Sequence, residues 1–350
     1  MATEIPPDHD LDRGQIDLYL KAYLPDLEGW PEIEKINGGQ SNLTYFVSYG
    51  KRHLILRRRP DGKILPSAHA VDREFRVQKA LQGKDVRVPK MLLYEDDVSI
   101  AGTAFYVMEK VNGRIFHDNM LTEAPKIERL AMYKNLAAML ANIHSVDVGK
   151  VGLSDYGQHG GYFARQIARW SKQWQASRSR ELPSIDHLMD WLPRHLPEDD
   201  LTTLVHGDFR TGNVIFHPTG PSVVAVLDWE LSTLGHPMAD LAHSCAYIWM
   251  MDCDEFGVGL RDVDLEYHGL PTMPEFVSNY AIAIGQKIEL TTFHLAFALF
   301  RLAVIFEGIA DRARRGNAAS DNAEDVGRIA PELAKRGAQL ARGAPAVIAY

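Results

Sequence analysis

The sequence predicts an α+β protein of two lobes, a small β-rich lobe over residues 1–111 and a larger helical lobe over residues 112–350. Three observations predict it. The first third carries strand-like runs broken by glycine turns, the remainder carries segments with helical spacing, and the change falls at Val111-Asn112-Gly113. At 350 residues, with 46% hydrophobic and 24% charged residues, the chain is long enough for two cores, and clefts between lobes are common ligand sites.

Taken in order, Gln15 to Tyr23 is predicted as a short helix. From Ile33 to Arg58 the residues have strand character, with turns at Gly38-Gly39 and Gly50-Lys51, so a hairpin opens a small sheet. Between Ala68 and Leu81, Val71, Phe75 and Leu81 fall near helical spacing and put Glu74 on an adjacent flank. A strand over Thr103 to Glu109 follows. Thr122 reads as the N-cap, with Glu123 and Pro125 in the first turn, of a helix whose apolar face holds Ile127, Leu130, Tyr133, Leu140 and Ile143. Two short strands, Asn213 to His217 and Val223 to Leu227, flank a Pro-Thr-Gly-Pro turn, and the rest reads as helices. Phe293 to Ile309 is apolar on nearly all sides, but Arg301 and Glu307 interrupt it, which marks a buried core helix rather than a membrane span.

Composition narrows the function. A net charge of -8 argues against general nucleic-acid binding, which needs clustered cations to neutralise phosphates. The opening MATEIPPDHDLDRG is polar and acidic, and no uncharged apolar run approaches the roughly 20 residues of a membrane span, so neither secretion nor membrane insertion is expected. Cys245 and Cys253 form no CxxC pair, which points away from disulfides and zinc and towards the reducing cytoplasm.

The chemistry concentrates in His206-Gly207-Asp208-Phe209-Arg210-Thr211-Gly212-Asn213, followed after two strands by Asp228-Trp229-Glu230. Phosphoryl transfer needs a carboxylate to orient the attacking hydroxyl and oxygen ligands to hold Mg²⁺ against nucleotide phosphates. Asp208, Asn213 and Asp228 supply that set, and a hairpin between Asn213 and Asp228 returns the second acid beside the first. Upstream, Asn37 to Thr44 fits a turn that closes over a triphosphate with backbone N–H groups, at Gly39 among others, and with the Ser41 hydroxyl. No Gly-Lys-Ser/Thr follows, so it is not a Walker A loop.

These residues resemble the HGDxxxxN catalytic loop and metal-binding acid of the aminoglycoside and choline phosphotransferases, distant relatives of protein kinases. The resemblance implies a protein kinase-like bilobal fold that uses ATP and Mg²⁺. It makes Asp208 the catalytic base, Asn213 and Asp228 the metal ligands, His206 a residue that fixes the loop, and Arg210 a cation near the transferred phosphate. Leu54-Ile55-Leu56-Arg57 takes the place of the kinase VAIK strand, so that Arg57 contacts the α- and β-phosphates and pairs with Glu74, with Arg58 the competing candidate. Strand alternation puts Ile55 on the face of Arg57, over the adenine. Glu109 to Val111 becomes the hinge whose backbone meets the adenine edge, while Met108 reads equally well as core. Asp240, in a Gly-x-Pro-x-x-Asp pattern, reads as a helix cap or ion-pair partner.

LRRRPDGKILPSAHAVDREFRV and GGYFARQIARW, together with the catalytic segment, are similar to the kinase-like domains fused to or encoded beside acyl-CoA dehydrogenases. That similarity implies a hydroxylated acyl acceptor, often a 4-hydroxyacyl-CoA, and an acyl-CoA dehydrogenase as pathway partner. The acid-free run Gly161 to Arg180, with Arg165, Arg169, Lys172, Arg178 and Arg180, fits either CoA phosphates or a solvated basic face. An acidic stretch that includes Asp252, Asp254, Glu255, Asp262 and Asp264 keeps an aminoglycoside 3'-type or choline-like acceptor open. An ATP-binding pseudokinase or scaffold is the alternative of another class, and the intact Asp208, Asn213 and Asp228 argue against it.

Overall fold

Burial with a period of two along the strands gives the N-terminal sheet two apolar faces, each covered by a helix. In the computed structural model, which describes residues 11–36, 42–60, 70–254, 258–314, 327–343 and 348–349, the strands are β1 (Glu32–Ile36), β2 (Leu43–Tyr49), β3 (Arg52–Arg58), β4 (Met91–Glu95) and β5 (Phe105–Glu109). They pair antiparallel in the order β1-β2-β3-β5-β4. One face, with Tyr45, Val47, Leu54 and Leu56, packs on Ile16 and Leu20 of α1 (Arg13–Tyr23). Asp12 caps this helix by accepting from the Gly14 and Gln15 amides. The other face gathers Met91, Tyr106, Met108 and Ile55 around Val71, the first residue of α2 (Val71–Leu81).

Two departures from the sequence reading concern this unit. Glu74 does not sit on a flank of α2 but is fully buried with Val71, Val77, Gln78 and Leu81, because cationic and hydroxyl partners compensate its charge. Strand β4 and the short α3 (Val98–Ala101, capped by Asp97) were not anticipated, since MLLYEDDVSIA lacks clear alternation.

The chain divides into two compact units. The described residues up to Lys84 join Val88–Val111, while Asp85–Arg87 join everything from Asn112 onward. The Arg87 carbonyl accepts from Val226 N, and the Asp85 carbonyl from Asn142 Nδ2, which ties this short segment to the second unit.

In the second unit, α4 (Lys126–His144) packs on α9 (Met273–Ile284), and α10 (Thr292–Arg314) packs on α5 (Tyr162–Ser177), α6 (Pro183–Trp191), α7 (Pro237–Trp249) and α11 (Ala330–Arg342). By length and composition α10 could cross a membrane, but 83% of its apolar window is buried. Two of its charged residues are also buried: Arg301 Nη2 donates to the Gly207 carbonyl, and Glu307 accepts from Arg180, Arg314 and Ser179. Short ladders complete the unit: β6 (Thr203–Val205) with β9 (Thr233–Gly235), the hairpin β7 (Val214–Phe216) with β8 (Val223–Val226), and β10 (Glu289–Leu290) with β11 (Ile348–Ala349). Helix α8 spans Leu265–His268.

Two expectations about α4 fail. Thr122 does not cap it; its amide and hydroxyl both donate to Asp118 Oδ1, and the helix begins after Pro125. Ile127 and Leu130 do not face the core: they are 91% and 52% exposed, and Met132, Leu136 and Ala137 join Tyr133, Leu140 and Ile143 in packing inward.

Candidate active site

The loop between β6 and β7 is held through its backbone by side chains that surround it. Gly207 sits at φ +87°, and a Cβ there would meet the Leu231 carbonyl oxygen at 2.7 Å, so only glycine fits. The buried Asp240 carboxylate accepts from the His206 amide at 2.6 Å and the Gly207 amide at 2.8 Å, and lies 3.4 Å from His144 Nε2. Asp240 therefore braces the catalytic loop, from the first turn of α7. His206 Nε2 donates to the Leu227 carbonyl at 2.8 Å, while its Nδ1 accepts from the Asp208 amide at 3.2 Å. That neutral tautomer links the loop to the residue before Asp228.

Asp208 follows, its side chain a quarter exposed. Its Oδ2 accepts from Asn213 Nδ2 at 2.8 Å and from Arg210 Nε at 3.3 Å, and its Oδ1 from His243 Nε2 at 2.9 Å. Burial alone would raise this carboxyl, but the Arg210 guanidinium, and after it His243, outweigh burial and hold it well below the usual carboxylate range. Arg210 in turn lies over the Tyr247 ring, 5.2 Å from its centroid.

The β7–β8 hairpin returns the chain to Asn213, whose carbonyl accepts from the Leu227 amide at 2.8 Å. Asp228 comes next, with a left-handed φ of +63°, a conformation that costs an ordinary L residue roughly 1 kcal/mol and recurs at functional sites. Its charge acts on Arg210. Trp229 anchors this turn, fully buried with Nε1 donating to the Val226 carbonyl. Asp208, Arg210, Asn213 and Asp228 thus converge on one loop and one hairpin.

In the N-terminal unit, Arg57 Nε lies 3.3 Å from Glu74 Oε2. Glu74 also accepts from Asn42 Nδ2 at 2.5 Å and from the Tyr106 hydroxyl at 2.9 Å. Arg58 lies on the opposite strand face, where it donates to the Tyr45 hydroxyl and the Ala101 carbonyl. Alternation on β3 therefore gives Glu74 to Arg57, with Ile55 on the same face. The Glu109 carboxylate accepts from Arg52 and Lys90, and the strand ends there, before Val111. Gly39 and Ser41 lie outside the described residues.

The donor set fits Mg²⁺. Asn213 commits its amide nitrogen to Asp208, which leaves its oxygen as the ligating face, and Asp228 offers a carboxylate one hairpin away. Among the described residues no group of three His, Cys, Asp or Glu side chains is placed to hold a metal alone. Two protein ligands suit an ion that completes its shell with phosphate oxygens and water.

Further residues bear on the acceptor. On α5, Arg165 donates to the Gln158 carbonyl, Arg169 lies over the Trp170 ring, and Arg180, just beyond the helix, is bound to Glu307. In the acidic stretch Asp252 is paired with Arg336 and Arg261, Asp264 caps α8, and Glu255 lies outside the described residues. His243, on α7, was missed by sequence reasoning: a histidine 35 residues from its partner leaves no local signal.

The fold and loop are those of the phosphotransferase enzyme family, whose profile matches residues 32–276, and the chain belongs to that family. Its antiparallel five-stranded sheet and helical second unit are those of the protein kinase-like fold. Among individual relatives, rat acyl-CoA dehydrogenase family member 11 is 42% identical over 348 residues, 97% of this chain and 44% of the relative. Mouse acyl-CoA dehydrogenase family member 10 is 41% identical over 322 residues, 91% of this chain and 30% of the relative. The chain spans less than half the length of these curated relatives. A crystal structure from Ralstonia eutropha, of a protein named for the aminoglycoside phosphotransferases, shares 39% identity at a TM-score of 0.84, covering 95% of this chain and 98% of that one. A thermostable mutant of aminoglycoside phosphotransferase APH(4)-Ia, solved with AMP-PNP and hygromycin B, shares the fold at a TM-score of 0.62 and 14% identity over 94% of this chain and 99% of that one.

Proposed function

We propose that the chain transfers the γ-phosphoryl group of Mg-ATP to a hydroxyl of a small molecule, and that the acceptor is a hydroxylated acyl group, as a 4-hydroxyacyl-CoA or the free hydroxy acid. Asp208 carries the reading: an ionised, accessible carboxylate fixed by Arg210, Asn213 and His243, one hairpin from a second acid. In the proposed reaction the acceptor oxygen bonds to the γ-phosphorus as the bond to the β,γ-bridging oxygen breaks. ADP leaves with that electron pair, and the hydroxyl proton passes to Asp208. A carboxylate held so far below its usual range is a weak base, so its part is to orient the hydroxyl early and take the proton late, as a loose transition state allows.

Asn213 and Asp228 would hold Mg²⁺, which supplies positive charge to the phosphate oxygens. Arg210 would reach the transferred phosphate and Arg57 the α- and β-phosphates, with Ile55 against the adenine, the Glu109 to Val111 backbone at its edge, and Gly39 and Ser41 over the triphosphate. The names of the longer relatives support the acyl acceptor and an acyl-CoA dehydrogenase as pathway partner. The acidic stretch lends little support to a polycationic acceptor, because Asp252 and Asp264 are committed internally. The test is ADP release from Mg-ATP across 4-hydroxyacyl-CoAs, free hydroxy acids, aminoglycosides and choline. Turnover with the hydroxyacyl compounds is expected; turnover with aminoglycosides or choline alone would overturn the acceptor, and Mg-ATP binding without turnover would favour a pseudokinase.

A further inference from the structure

His243 stands on α7 with its ring buried against the catalytic loop, 2% exposed. Its Nε2 lies 2.9 Å from Asp208 Oδ1, and its Nδ1 is buried with no hydrogen-bond partner. An ionised carboxylate only accepts, so Nε2 must carry the hydrogen, and the neutral ring then leaves a bare lone pair at Nδ1. The charged form would instead bury an unpaired N–H at Nδ1, and the charge of Arg301 on α10 opposes it. The groups that face the ring agree: burial first, and then Arg301, lower its pKa, against the opposing pull of Asp208 and, on its own helix, Asp240.

A carboxylate offers about four lone-pair positions, two on each oxygen. The described donors fill three: Asn213 and Arg210 on Oδ2, and His243 on Oδ1. The open position is on Oδ1, beside the imidazole. We propose that His243 is a positioning residue for the transfer step, a neutral Nε2–H donor that fixes Asp208 so that the free lone pair of Oδ1, rather than Oδ2, receives the acceptor hydroxyl. This rests on the reading of Asp208 as the residue that orients the acceptor. The buried lone pair at Nδ1 is then the cost of keeping the ring a neutral donor.

Two measurements on the full chain decide it. In ¹⁵N-histidine-labelled protein, with the His243 signal identified by its loss in His243→Gln, the ring is expected to hold hydrogen on Nε2 and none on Nδ1 at pH 7. An Nδ1–H tautomer or a doubly protonated ring would overturn the proposal. The second measurement is ADP release from Mg-ATP, with water and with each acceptor of the panel. His243→Leu keeps the apolar packing and is expected to lower kcat on the order of 10- to 100-fold, the scale of a small misplacement of a reacting group, with KM for ATP within about twofold. His243→Gln, whose amide can donate from nearly the same place, is expected to recover most of that loss. A leucine variant as active as the parent, or a glutamine variant as poor as leucine, would sink the inference. Asp208→Asn run alongside separates the two claims: full activity there removes the Asp208 reading itself, whereas an inactive Asp208→Asn beside a fully active His243→Leu removes only the role of His243.

Discussion

Two arginine–carboxylate pairs, one in each unit, have the same separation and different surroundings. Arg57 Nε lies 3.3 Å from Glu74, and Arg210 Nε lies 3.3 Å from Asp208. The Glu74 side chain is 1% exposed and shared with Asn42 and Tyr106, whereas the Asp208 side chain is 25% exposed. A buried carboxylate with several donors is part of the fold, because removing it strands its partners in a poor solvent. An accessible one can exchange its arginine for a substrate group. Distance alone does not separate a carboxylate committed to the fold from one open to a substrate; access does.

Glu74→Ala should break the comparison on the structural side. We expect a loss of about 3–5 kcal/mol in urea unfolding, the usual result of removing one partner from a buried ion pair. A loss below about 1 kcal/mol would put Glu74 among exposed pairs. Arg210→Ala tests the other side: kcat should fall on the order of 10²- to 10³-fold, as when a donor to transition-state charge is removed. Its unfolding free energy should move by less than that of Glu74→Ala, because both side chains of this pair are about a quarter exposed. A large loss of stability with unchanged kcat would reverse the two roles.

His294 sharpens the comparison with a buried group on which the nearby acid Asp199 has only the smallest influence. Burial, and after it the neighbouring His236, lower its pKa from 6.5 to about 4. The folded protein keeps the ring neutral where the unfolded chain would be charged, so the contribution to stability is complete above pH 6.5 and lost as pH falls towards 4. That loss amounts to about 3 kcal/mol. Thermal unfolding from pH 7 to pH 4 should show a steeper decline in the parent than in His294→Asn, and parallel curves would contradict the account. The smallest effect belongs to Ile127→Ser: with the side chain 91% exposed, stability should change by less than about 0.5 kcal/mol.

Asp208, Asn213 and Asp228 were legible in the sequence because one loop and one hairpin, both local, bring them together. The Arg57–Glu74 pair was legible from its family resemblance, but the burial of Glu74 was not, since periodicity in α2 favoured Val71 and Phe75. Asp240 stood out by its local Gly-x-Pro-x-x-Asp pattern, but its contacts with the catalytic loop, like those of His243, depend on which face of α7 meets that loop, a tertiary fact. Ile127 and Leu130 misled because one helical turn of apolar residues fits two adjacent faces, and only packing against α9 selects between them.

The central claim is that Asp208 orients the acceptor. Its direct test is acceptor-dependent ADP release by the parent and by Asp208→Asn, with thermal unfolding of both recorded to confirm equal folding. The account predicts a fall in kcat on the order of 10²- to 10⁴-fold in the variant. Equal turnover by a folded Asp208→Asn would contradict it.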